Sequence, residues 1–120
     1  MFAFILGCLY LIFALIYLLL IKENFNIFGF IYNPRNKKLL IVFDAPFLLI
    51  SFAAMLEEAH WLFLAIFFMH LFNTTTLQFK PEFFYQLKDE MKLIDESSFN
   101  NYLVIMTSIV GIGCLLVSYL

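Results

Sequence analysis

Apolar residues run without a charge from Phe2 to Ile21, return from Leu39 to Phe72 around Asp44, Glu57, Glu58, His60 and His70, and return again from Tyr102 to Leu120. Two polar connectors separate the three runs. A bilayer core about 30 Å thick is crossed by roughly 20 residues of helix, because each residue rises about 1.5 Å. The first and last runs match that length. Helix is the expected conformation because lipid offers no partner to free backbone N–H and C=O groups, and runs this long do not read as barrel strands.

The middle run is too long for one straight crossing, since Leu39 to Phe72 would extend about 51 Å as a helix. Asp44-Ala45-Pro46 is a plausible divider: Asp can cap a helix start, and Pro is tolerated in a first turn. That division predicts one tilted span over residues 45–72. A division at Glu57-Glu58 would instead leave Trp61 to Phe72, about 18 Å of helix, which is too short to cross. The expected fold is therefore all-α and integral to the membrane, a single membrane domain over residues 1–120 with three transmembrane helices near 2–21, 45–72 and 102–120.

After Lys80-Pro81, the residues Phe83, Phe84, Leu87, Met91 and Ile94 recur at helical spacing among charged neighbours. This predicts one amphipathic surface helix near residues 81–96. It can lie on the membrane, dock on a partner or cover the chain's own loops.

Composition agrees with insertion. The chain is 64% hydrophobic and 13% charged, against roughly 25% charged for soluble domains, and its mean hydropathy is +0.95. The first connector carries Lys22, Arg35, Lys37 and Lys38 against Glu23, close to span ends. The second carries Lys80, Lys88 and Lys92 against five acidic residues. The positive-inside rule then places Lys22 to Lys38 on the cytoplasmic or matrix side, with the N-terminus and the acidic connector outside and the C-terminus inside. Many Phe, Ile, Asn and Lys codons suggest an AT-rich genome, as in mitochondria and some bacteria.

The candidate chemistry lies in Glu57, Glu58 and His60. In one span over residues 45–72 they sit near mid-membrane, where a charge costs about 2.5 to 3.5 kcal/mol. Glu57 and His60, three residues apart, share a helix face and can exchange a proton, while Glu58 addresses another helix. Burial moves a carboxyl and an imidazole towards a common proton affinity, so the three are candidates for a proton relay. If the span divides at this point, they become an interfacial turn, and a buried ion pair is the third possibility. His70 reads as a boundary or capping residue. The ten-residue separation of His60 and His70 fits no metal or haem pair on one helix face, and no cofactor is expected. Cys8 and Cys114 lie in apolar runs as small hydrophobes. No phosphate-binding loop, nucleophile elbow or nucleic-acid-binding patch occurs. Without a soluble active site, the expected partners are the lipid bilayer and other membrane subunits of a larger complex.

Length, three expected spans, an outside N-terminus and acidic residues in the middle span together resemble the small membrane-arm subunits of respiratory complex I, the proton-pumping NADH:quinone oxidoreductase, and certain local runs add to the likeness. Leu56-Glu57 resembles the second span of its 4L-type (bacterial K-type) subunit. Thr107-Ser108-Ile109-Val110-Gly111-Ile112-Gly113-Cys114-Leu115-Leu116 is similar to that subunit's third span, with Thr107 where the family has glutamate. Phe43-Asp44-Ala45-Pro46-Phe47-Leu48-Leu49-Ile50-Ser51 resembles the second span of the 3-type (bacterial A-type) subunit. Glu58-Ala59-His60 falls where that type has Asp-x-Glu, and Phe28-Gly29-Phe30 lacks its cysteine. The resemblance, with the 4L type ahead, implies a subunit that is not catalytic alone, contributing to proton passage in the mitochondrial inner membrane or a bacterial inner membrane. A structural subunit of another respiratory or ATP synthase complex is the alternative.

Overall fold

The computed structural model describes residues 1–91 and 95–119, the side chains of 87–91 and 96 excepted. The order is α1 (Phe2–Lys22), α2 (Ile27–Ile31), a 3-10 turn (Pro34–Asn36), α3 (Lys37–Glu57), α4 (Trp61–Phe79), α5 (Pro81–Met91) and α6 (Glu96–Tyr119). No strand occurs among the described residues. The all-α class follows, and four helices, α1, α3, α4 and α6, are long and apolar enough to cross a membrane. Large apolar side chains such as Ile12, Leu49, Leu56 and Ile109 face outward, as a lipid solvent allows. The chain is a multi-pass membrane protein.

The middle segment departs from the single span expected over residues 45–72. α3 begins at Lys37, passes through Asp44 and Pro46, and ends at Glu57. Pro46 is carried inside the helix at the loss of one backbone hydrogen bond, to the Val42 carbonyl. The break falls at Glu58-Ala59-His60, where Glu58 and His60 adopt extended backbone. His60 caps α4 by accepting the Leu62 N–H on Nδ1 at 3.1 Å. Two charged carboxylates and a cap favour a turn in headgroup water over two groups buried in lipid. The second half is long enough because the helix does not stop at Phe72. It continues through Asn73, Thr74, Thr75 and Thr76 to Phe79, 19 residues in all, and ends where Pro81 disfavours helix at Lys80.

Dividing this segment in two reverses everything downstream. α1, α3, α4 and α6 alternate in direction, so both polar connectors lie at one end of the bundle, not on opposite faces. Ile27, Tyr32 and Phe99 form a cluster there, with Phe84 and Tyr85 of α5 packed against it. The Phe84 ring stacks on Tyr32 with centroids 5.2 Å apart, and Phe28 meets Phe99 edge-on at 5.1 Å. The amphipathic helix thus covers its own protein with Phe84 and Tyr85, while Phe83 faces outward. The Leu87 and Met91 side chains, and Ile94, lie outside the described residues, as does Leu120 of the last expected span. Asp95 caps α6 by accepting the Ser98 N–H at 2.6 Å, which holds its carboxyl below the usual range.

At the opposite end, the Met1 ammonium pairs with the Glu57 carboxylate. Between the ends, α1 packs chiefly on α6 and α3, and α3 on α4. Glycine permits the tightest approach: a Cβ on Gly7 would lie 2.9 Å from the Gly111 carbonyl oxygen. The buried core comprises Ala3, Leu6, Tyr10, Phe47, Ala54, Phe63, Ile66 and Cys114.

Candidate functional site

Polar groups from three helices meet inside this bundle. His70 and Thr74 are four residues apart on α4 and share a face, as do Asp44 and Phe47, three apart on α3. Tyr10 approaches from the middle of α1. One Asp44 carboxylate oxygen, Oδ1, contacts His70 Nδ1, and the other, Oδ2, accepts the Thr74 hydroxyl. On the far side of the imidazole, Nε2 meets the Tyr10 hydroxyl. An ionised carboxylate can only accept, so with Asp44 ionised Nδ1 is the donor, and on a neutral ring Nε2 then receives the Tyr10 O–H. The result is a continuous chain of hydrogen bonds, Thr74 to Asp44 to His70 to Tyr10.

Packing holds the imidazole still. Phe47 stacks nearly parallel on His70, with centroids 5.1 Å apart and planes 15° apart, and the Tyr10 ring lies 4.8 Å from Phe47. The His70 and Asp44 side chains are only 10% and 14% exposed. In such surroundings each hydrogen bond polarises the next, and a missing partner is costly. The chemistry available is proton binding and transfer: Asp44 and His70 both accept a proton, and Tyr10 and Thr74 both donate and accept hydrogen bonds.

The residues singled out from sequence lie elsewhere. Glu57 ends α3, and Glu58 and His60 flank Ala59 in the α3–α4 turn at the end of the bundle. The structure does not bring Glu57 to His60. Glu57 meets Met1, and His60 Nδ1 is occupied by Leu62 N–H. Among the described residues no group of three or more His, Cys, Asp and Glu is arranged to hold a metal ion.

Sequence reasoning passed over Tyr10, Asp44, His70 and Thr74, reading Asp44 as a cap and His70 as a boundary residue. A signal was present, though it depended on the turn. In a helical hairpin centred on Ala59, residue 44 falls opposite residue 74, so placing the break at 58–60 superposes the two polar positions. Comparison with protein-family models, curated proteins and solved structures finds no match to this chain.

Proposed function

We propose that this chain is a small subunit of a proton-translocating membrane complex in which Asp44, His70 and Tyr10 bind and pass protons. The observation that carries the reading is the buried contact of Asp44 with His70, linked to Tyr10 and Thr74 within the apolar bundle. Ionisable groups at such depth oppose insertion, so a functional reason for keeping them is the default reading. The proposed assembly is a respiratory one, the membrane arm of NADH:quinone oxidoreductase, because of the local runs similar to its small subunits. Asp44 and Phe47 both fall in the Phe43 to Ser51 run. Four candidate spans remove the shared count of three from that likeness, leaving the local runs to support it.

All the Lys and Arg of the described residues, Lys22, Arg35, Lys37, Lys38, Lys80 and Lys88, lie at the basic end, beside Glu23, Glu82, Asp89, Glu90, Asp95 and Glu96. The other end holds Glu57 and Glu58. That asymmetry favours the basic end on the cytoplasmic or matrix side. The test is purification of the tagged chain with its partners in mild detergent, followed by proton pumping and electron transfer with His70→Phe and Asp44→Asn. Loss of pumping in an assembled complex supports the reading. Normal coupled turnover in both variants refutes it, and lost assembly alone would favour a structural subunit.

A further inference from the structure

The two halves of the bundle differ in polarity on either side of the Asp44–His70 contact. Towards the basic end, α4 carries Asn73, Thr74 and Thr76 half-buried, with Thr75 and Gln78 outward, and α1 carries Tyr17 two turns beyond Tyr10, beside the buried Ala14 and Leu77. Towards the Glu57 end, α4 has no polar side chain between Trp61 and Met69, and the core consists of Ala3, Leu6, Ala54, Phe63 and Cys114, all at most 1% exposed. The one fully buried hydroxyl in that half among the described residues, on Ser51, is turned to its own helix, donating to the Leu48 carbonyl at 3.0 Å, as the half-buried Ser118 donates to Leu115 at 2.8 Å. From His70 to Phe63, and from Tyr10 to Ala3, is two helical turns, about 10 Å of apolar packing. A proton cannot cross that distance without water or a side chain to carry it.

We infer that the Asp44–His70–Tyr10 site exchanges protons with the basic face alone, and that Leu6, Ala54 and Phe63 form a dry barrier insulating it from the Glu57 face. This rests on the proton-binding reading of the site. The ligand is a proton that enters and leaves past Thr74, and movement across the membrane requires the barrier to be wetted.

The experiment uses the full chain in liposomes with an entrapped pH dye and an imposed pH gradient. Wild type should be tight, Leu6→Ser with Phe63→Ser should open a proton leak, and adding His70→Phe should abolish that leak. In parallel, Ser51→Cys should resist water-soluble thiol reagents from both faces and Thr74→Cys should react from the basic face, against the background of Cys8 and Cys114. Conduction by wild type, a tight double variant, or Ser51→Cys reacting from the Glu57 face overturns the barrier and leaves the proton-binding reading standing. A leak that ignores His70 overturns that reading, and the inference with it. Should the double variant fail to fold, the Ser51→Cys result decides.

Discussion

Replacing His70 by Phe preserves the ring stacked on Phe47 and removes both nitrogens that join Asp44 to Tyr10. Asp44 would then retain only the Thr74 hydroxyl, and Tyr10 would lose its acceptor. A carboxylate without a partner in a span costs about 2.5 to 3.5 kcal/mol, and an orphaned hydroxyl adds about 1 to 3. Because the Asp44 side chain is 14% exposed, water or protonation offsets part of this, so a net loss of about 3 kcal/mol is expected. Asp44→Asn removes the charge while leaving an acceptor for Thr74, and should cost about 1 to 2 kcal/mol. The double variant should be no less stable than His70→Phe alone, since the carboxylate that His70 served is gone. Unfolding in mixed micelles, with the SDS fraction raised and helicity followed by circular dichroism, measures all four states of this cycle. If the two losses simply add to within about 0.5 kcal/mol, the groups are uncoupled and the site is not the one described.

Gly7→Ala should destabilise the chain by about 1 to 3 kcal/mol, because the new methyl group meets backbone across the α1–α6 contact. Gly113→Ala, with its nearest neighbour Leu62 Cδ2 at 3.6 Å, should cost far less in the same assay. Single cysteines at Asn36 and Ser97 should be labelled from the same side of the membrane and one at Ala59 from the opposite side; labelling of 36 and 97 from opposite sides would contradict the four-helix order. The lowered carboxyl of Asp95 stabilises the start of α6 when ionised. That contribution should be complete above the ordinary carboxylate value of about pH 4 and be lost as pH falls through the lower folded value. Asp95→Asn, which keeps a capping acceptor, should remove this acid-dependent part of the unfolding curve without unseating the helix.

Membrane helices were legible from sequence because a lipid solvent imposes its demand on each segment by itself. A run such as Phe2 to Ile21 must be helical whatever surrounds it, and α1 and α6 stand where the pattern predicts them. A helix after Pro81 was legible for a similar reason, from apolar residues recurring at a helical period, though Phe83 of the expected stripe faces outward and Tyr85 packs inward beside Phe84. The middle segment was not, because its division depends on where each half ends as well as on where the run is interrupted. Asn73 to Thr76 look like loop residues on hydropathy alone. They become the last turns of α4, with Thr74 inside the bundle, once Asp44 is there to receive its hydroxyl.

Composition and local period are enough to assign the lipid solvent, the helical class and the few ionisable groups, since each follows from a segment taken alone. Which of those groups act together depends on how the helices pack. Glu57, Glu58 and His60 are neighbours in the chain, and at a turn they are free to take separate partners. Tyr10, Asp44 and the His70–Thr74 pair are far apart in sequence, and they meet because the reversal at residues 58–60 lays α4 against α3 while α1 closes over both. Contact between side chains on different helices depends on the register of their packing, which no single segment encodes.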